Sequence, residues 1–586
     1  MGGLPALSLD ALTSVAYGPE AAVVALAVAG SSAMGAMLPL NITVALLLAT
    51  LVLSYRQVIA AHPEGGGSYA VAKRQFGPRT SRLAAAGLVV DYVLTAAVSL
   101  ATGAASLASA FPALTGHLLL TATGALVLLT AVNLRGLADS ARLLMPLTVL
   151  FIALVLAVIA LGVAHPAPAA EAGGRPTVAT TQGLGLVLLL KAFASGCTAI
   201  SGVEAIANGV PAFREPRVRT AQRTQLLLGA LLTVMLIGIG YLLARDRIVP
   251  RADVTVLAQL TAHSLGTGWP YYAANLTVAL LLAAAANTSF GALPLLLSLL
   301  AKDNQLPHVF ALRSARPVHR VGVLALAALT ALLLAATGAV TDRLIPLFAL
   351  GIFIGFTISQ LGMVRHWLRT RPPRWRRLAA LNATGCTLTL TATAVLVVFK
   401  FTAGAWAVVV VVPLLMLLLA RVERYYAAVA LATGIGRLPP RPIPGRGLVV
   451  VPVGELSTVT AAVLARALTL GGTVVAVTVH SGESATTTLA RQWELWAPDV
   501  PLELLPSPHH TLLTPIVQYI QQATAEGHHV TVLIPEKLPR RHLERLLQGR
   551  RSALLAALLR RRTNAVVSTV TYHLDPTTAR TKGPEP

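Results

Sequence analysis

Two stretches of this sequence place oxygen-bearing side chains where oxygen is expensive. In SLDALTSVAYGPE, from Ser8 to Glu20, an acid (Asp10), the hydroxyls of Ser8, Thr13 and Ser14 and a phenol (Tyr17) lead into Gly18-Pro19-Glu20. In SGCTAISGVEAIANGVP, from Ser195 to Pro211, Ser195, Thr198, Ser201, Glu204 and Asn208 stand among Gly196, Gly202 and Gly209. Both stretches lie in long apolar runs. An acid at the centre of a bilayer costs about 3 kcal/mol or more, and irregular backbone at that depth persists where it lines a site or a water-filled cavity. The expectation is a pair of interrupted helices at a binding site, the first broken at Gly18-Pro19 and the second unwound through its small residues. A third polar face is DYVLTAAVSLATG, with Asp91, Tyr92, Thr95, Ser99 and Gly103. Tyr92, Thr95 and Ser99 fall at i, i+3 and i+7, one stripe of a helix. Weaker signals are Asn287, Thr288 and Ser289, and then Phe348, Thr357 and Gln360.

These residue types narrow the chemistry. Asp10 and Glu204 would repel a substrate carboxylate, and the first stretch has no GxG turn to hold one at a helix N-terminus. Hydroxyls, unwound carbonyls and carboxylates replace the water shell of a dehydrated monovalent cation. A carboxyl in a dry span is also a natural proton carrier. The combination points to a cation taken up with a proton. A substrate ammonium paired with Asp10, as in an amino acid or amine permease, is the second reading. A sensor whose membrane part detects while its tail signals is the third. An enzyme is not expected, because the sequence shows no nucleophile with a base, no metal cluster, no GxGxxG and no GxxxxGK[ST]. Cys197 and Cys386 lie in apolar surroundings and offer neither a disulfide framework nor a metal site.

The elements that must position these groups are membrane spans. The chain has 586 residues, 55% of them hydrophobic and 12% charged, and a mean hydropathy of +0.71, outside the range of soluble globular proteins. Apolar runs long enough to cross about 30 Å of hydrocarbon lie near 9–30, 38–60, 84–110, 116–133, 143–164, 182–210, 224–244, 270–300, 321–340, 344–366, 378–398 and 402–420, giving about twelve spans. A net charge of +23 would suggest nucleic acid in a soluble protein, but here the cations sit in short loops. With the N-terminus inside, Lys73, Arg74, Arg79 and Arg82, then Arg135 and Arg142, Arg214 to Arg223, Lys302 to Arg320 and Arg365 to Arg377 all fall on the cytoplasmic side. Arg245, Arg247 and Arg251 are the main outer exception. The positive-inside rule thus puts both termini in the cytoplasm. HPEGGGSY, from His62 to Tyr69, reads as a packed loop, and the segment from Arg245 to Trp269 as a short helix over the outer mouth. No secretory signal is expected.

After Arg421 the composition changes, and Pro439 to Pro444 (PPRPIP) reads as a stiff linker. The domain division is 1–421 for the membrane part, 422–444 for the linker and 445–586 for a cytoplasmic α/β domain. Its strands are expected at 448–453, 473–479, 501–505, 529–535 and 564–572. Helices are expected over 456–469, through Trp493, over 511–525 and over 539–560. That alternation predicts a five-stranded, parallel sheet. His509-His510 and His528-His529 read as surface residues.

SLDALTSVAYGPE, HPEGGGSY, DYVLTAAVSLATG, NLRGLADSARL, FASGCTAISGVEAIANGVPAF and ANTSFGALPLLLSLLAKDNQLP together resemble the amino acid, polyamine and organocation transporter superfamily, and within it the KimA-type potassium importers of the KUP group. The resemblance implies a LeuT-like 5+5 inverted repeat followed by a domain like the universal stress proteins. It implies proton-coupled potassium uptake by alternating access, with potassium and protons as transported species and no cofactor. It implies that Asp10, Tyr17, Tyr92, Thr95, Ser99 and Ser201 bind the ion and that Glu204 couples the proton. Ser201 stands where the family has Thr, and Phe348 stands at a substrate-binding position where it has Tyr. The family also has a longer lead before its first helix, as a start codon assigned too far downstream would remove. PLELLPSPHHTLLTPIVQYI resembles the family's tail, through which members dimerise and are inhibited by cyclic di-AMP. The tail departs at His509-His510 and at LLQGRRSALL. The partners implied are membrane lipid, a second copy of the chain and cyclic di-AMP, with no nucleic acid polymer.

Overall fold

The computed structural model describes residues 8–65, 67–136, 141–164, 183–251, 253–312, 319–434, 445–480, 483–496, 498–507, 513–539 and 551–574. The chain divides into two compact units at Gly436–Arg437.

The first unit is helical: α1 (Leu9–Ala27), α2 (Met37–Ala61), the short α3 (Gly67–Phe76), α4 (Pro78–Ala110), α5 (Leu118–Leu134) and α6 (Ala141–Ala164) lead into α7 (Leu186–Gly196). A 3-10 turn (Cys197–Ile200) and the single turn α8 (Ala205–Asn208) follow α7. Then come α9 (Arg217–Asp246), α10 (Val256–Leu265), α11 (Trp269–Lys302), α12 (Arg320–Thr337), α13 (Thr341–Thr370), α14 (Trp375–Lys400) and α15 (Trp406–Thr433). Among the described residues, ten helical segments are long and apolar enough to cross a membrane, and the protein is a multi-pass membrane protein. The last of the ten runs over 59 residues but is interrupted at 401–405, where Gly404 takes φ 121°. α1 is not among the ten; it is a central helix, with Asp10, Glu20 and Val24 the only residues inside it before Ala27 that are not buried.

Three expectations need correcting. α1 does not break at Gly18-Pro19 but runs through Pro19. One proline removes a single i to i−4 hydrogen bond, and the close packing around α1 holds the remaining turns. The linker expected from residue 422 begins later, because α15 continues to Thr433; its PPRPIP core lies outside the described residues. In the second unit, the helix expected over 539–560 is described only as Arg551–Arg562, and Pro539 belongs to a strand. His509-His510 and the first half of LLQGRRSALL also fall outside the described residues.

The second unit orders its elements β1 (Arg446–Pro452), α16 (Thr458–Leu468), β2 (Thr473–Val479), α17 (Glu483–Trp496), β3 (Leu502–Leu505), α18 (Thr514–Ala525), β4 (His528–Pro539), α19 (Arg551–Arg562) and β5 (Val566–Leu574). All pairings are parallel, in the order β3-β2-β1-β4-β5. Strand alternation splits the apolar side chains between two cores. Leu448 and Val450 join Ile516, Ile520 and Leu559 on the face covered by α18 and α19. Val449 and Val451 join Val463, Leu464 and Trp493 on the face covered by α16 and α17.

In the membrane unit, α1 packs directly on the 3-10 turn after α7. A Cβ on Gly18 would overlap the Ala199 Cβ, and the Ser14 hydroxyl donates to the Ala199 carbonyl at 2.6 Å. Gly18→Ala is therefore expected to cost about 1–3 kcal/mol by overpacking and to lower the thermal unfolding midpoint in detergent. An unchanged midpoint would contradict this contact.

Candidate functional site

The site is built where the N-terminal turn of α1 meets the break after α7. Helical geometry fails at Ser201, which is extended at φ −53° and ψ 151°, and Gly202 adopts φ 75°, a region that side chains disfavour. A Cβ on Gly202 would stand 2.5 Å from the Ala11 nitrogen and 2.8 Å from Asp10 Oδ2. Glycine is thus required twice over, by conformation and by the approach of α1. Across that contact the Ser201 hydroxyl donates to Asp10 Oδ2 at 3.2 Å. The chain leaving the break is held from α9, where Gln225 Nε2 donates to the Val203 carbonyl at 3.1 Å.

Glu204 follows within one turn. It is 6% exposed, and Tyr55 on α2 donates a hydrogen bond to its Oε2 at 3.1 Å. Asn208, one turn on, donates to the Tyr92 hydroxyl at 3.3 Å, so the third polar face reaches the broken segment through α8. The glycine loop between α2 and α3 closes on the same turn. A Cβ on Gly65 would meet the Asn208 carbonyl, and one on Gly67 the Asn208 side chain.

Several oxygens here are buried without a hydrogen-bond partner: Asp10 Oδ1, Tyr17 OH, Thr95 Oγ1 and Ser99 Oγ. Hydroxyls in helices usually bond back to their own carbonyls. Thr13 does so to the Leu9 carbonyl at 3.0 Å and Ser109 to the Ala105 carbonyl at 2.9 Å. Thr95 and Ser99 do not. Asp91 Oδ1 and Ser68 Oγ are further unpaired oxygens.

The expected site residues have different places in this arrangement. Asp10, Ser201 and Glu204 converge on the break, Tyr92 joins them through Asn208, and Thr95 and Ser99 extend its stripe along α4. Tyr17 lies on α1 with its ring edge-to-face against Phe348 at 5.9 Å. Phe348 supplies an aromatic wall and no oxygen. Tyr55 is absent from the candidates that the sequence suggests, because it sits near the end of an otherwise apolar run. The polar group Ser54-Tyr55-Arg56-Gln57 is the signal that could have found it. His62, beyond the end of α2, is no rival as a proton carrier: burial first, then the charge of Arg74 and the neighbouring His366, push its imidazole down to about 4. Its ring is neutral through the physiological range.

A family model described as amino acid permease matches residues 7–420, and one described as the KimA potassium transporter C-terminal domain matches residues 445–572. The chain is similar to the potassium transporter KimA of Bacillus subtilis (strain 168), with 34% identity over 582 residues, covering 97% of this chain and 95% of that protein. The chain belongs to the KimA family. The likeness to KimA runs through both units.

The Gly202 contact is open to a direct check. Cys197 is fully buried beside the break. In a Cys386→Ala background, the added Gly202→Ala substitution is expected to push α1 from the break and to expose Cys197 to a membrane-permeant maleimide. Labelling as slow as in the parent would contradict the geometry.

Proposed function

We propose that this chain is a secondary transporter that takes up potassium together with protons by alternating access. The observation that carries the reading is the set of buried, unpaired oxygens on α1 and α4, Asp10 Oδ1, Tyr17 OH, Thr95 Oγ1 and Ser99 Oγ, with Asp10 bonded to Ser201 at the helix break. A dehydrated potassium ion takes such oxygens in place of water. Asp10 supplies the negative charge, Tyr17, Tyr92, Thr95, Ser99 and Ser201 supply neutral oxygens, and Phe348 closes the aromatic side. Glu204 carries the proton, since it is the carboxyl on the broken segment itself. Similarity to a potassium transporter supports the choice of ion.

In this reading the membrane unit has twelve spans: the ten apolar segments, with the last divided at Gly404, plus α1. The first five and the next five form a LeuT-like inverted repeat, which pairs α1 with the broken segment after α7 at the middle of the membrane. Both termini are cytoplasmic, on the distribution of arginine and lysine between loops. The α/β unit, of universal-stress-protein type, is the regulatory domain through which two copies associate and cyclic di-AMP acts. The similarity of residues 445–572 to the KimA C-terminal domain supports that assignment. The protein performs transport and no enzymatic conversion, and it needs no cofactor.

Growth of a potassium-uptake-deficient bacterium at limiting potassium tests the reading. The wild-type chain is expected to rescue growth, Asp10→Asn to lose rescue at equal expression, and Glu204→Gln to lose the dependence of uptake on external pH. Normal pH-dependent uptake in Glu204→Gln would contradict the mechanism. Competition by amino acids would favour a permease in which Asp10 pairs with an ammonium group.

A further inference from the structure

Tyr55 is fully buried, and its hydroxyl lies within reach of two oxygens on two different segments. It donates to Glu204 Oε2 at 3.1 Å, and Ser359 Oγ on α13 lies 3.5 Å away. The ring is fixed edge-to-face against Phe356 at 5.8 Å. The residues on either side of Tyr55 anchor α2 to α13 and α14. Ser54 has one proton and two acceptors, Gln360 Oε1 at 2.6 Å and Asn382 Oδ1 at 2.5 Å. Asn382 Nδ2 and Trp367 Nε1 both donate to Gln57 Oε1 at 2.7 Å. The phenol is therefore held in place by a polar seam whose members carry no charge.

We propose that Tyr55 is the positioning residue for the coupling carboxyl, its hydroxyl donating to Glu204 when that group is charged and turning to Ser359 on α13 when Glu204 takes its proton. The inference rests on the reading that Glu204 carries the proton. A phenol has a single proton to donate, so it cannot serve both acceptors at once. A hydrogen bond from a neutral donor favours the charged form of a carboxyl, and losing it favours the neutral form. The same switch links the broken segment to the packing of α2 on α13, so protonation alters a contact between helices as well as a charge. The other titratable groups within electrostatic reach of Glu204 are Asp10 on α1 and Asp91 and Tyr92 on α4. α13 presents Gly355 and Ser359 to this region, neither of which titrates, and α3 presents the Ser68 hydroxyl near Gly355.

The test is the pH profile of rubidium uptake by the full-length chain in vesicles, for wild type, Tyr55→Phe, Ser359→Ala and Glu204→Gln. Tyr55→Phe keeps the ring and removes only the donor. Its half-maximal pH is expected to rise by about one unit, a tenfold change in proton affinity. Ser359→Ala removes the alternative acceptor, which disfavours the neutral form of Glu204, and is expected to shift the profile in the opposite direction. Opposed shifts support the proposal. Profiles that are unmoved, or that move the same way in both variants, overturn it, because general damage to packing has no reason to give opposite signs. If Tyr55→Phe does not reach the membrane, the sign of the Ser359→Ala shift decides alone. A pH-dependent profile in Glu204→Gln would instead sink the underlying assignment of the proton to Glu204.

Discussion

The contact between Asp10 and Ser201 across the helix break is the constraint on which the rest of the membrane unit depends. It exists because Gly202 turns the chain through a left-handed conformation and leaves room for the backbone of Ala11. Without that turn, the 3-10 turn after α7 could run on into α8 as helix. Its carbonyls would then be consumed by the helical ladder and Glu204 would be displaced around the axis. Gly18 complements this two turns further along α1, by letting the helix lie directly on Ala199. The glycine loop between α2 and α3 closes on Asn208, which in turn bonds Tyr92 on α4. An isolated acid in hydrocarbon is a liability. Here Asp10 and Glu204 each have a neutral hydrogen-bond donor, Ser201 for Asp10 and Tyr55 for Glu204.

Much of this was legible in the sequence because the bilayer imposes such a strong filter. Polar residues survive in long apolar runs only for cause, so Asp10, Tyr17, Thr95, Ser99, Ser201 and Glu204 stood out by type alone. Helix periodicity then put Tyr92, Thr95 and Ser99 on one face. The sheet of the second unit was readable for a related reason: buried parallel strands are short β-branched runs between helical patterns. What the sequence did not display was partnership between distant segments. Pro19 suggested a break, but whether a proline ends a helix is decided by the neighbours that hold it, and α1 is held on Ala199. Tyr55 looked like the interfacial end of an apolar run, since nothing in the local pattern says that it faces a glutamate 149 residues away. The end of the last membrane helix was misplaced because Arg421, Glu423 and Arg424 change the composition without interrupting the helix.

The chemistry proposed follows from the division of labour between the two acids. Asp10 is bonded by a hydroxyl at one oxygen and free at the other, which suits a group that shares its charge with a cation. Glu204 is bonded by a phenol that has an alternative acceptor, which suits a group that changes its protonation. The polar seam from Ser54 to Trp367 is neutral throughout, so it holds α2 against α13 and α14 without competing for either the ion or the proton. The α/β unit carries its own core on both faces of the sheet, independent of the membrane unit.

The central claim is that one site moves potassium and protons together. The most direct measurement follows both in the same proteoliposomes, with a pH-sensitive dye in the lumen and potassium content read in parallel. An inward potassium gradient is imposed, with a lipophilic anion to balance the charge. The account predicts that potassium entry acidifies the lumen even though no proton gradient was imposed. Potassium entry at constant lumenal pH would contradict it.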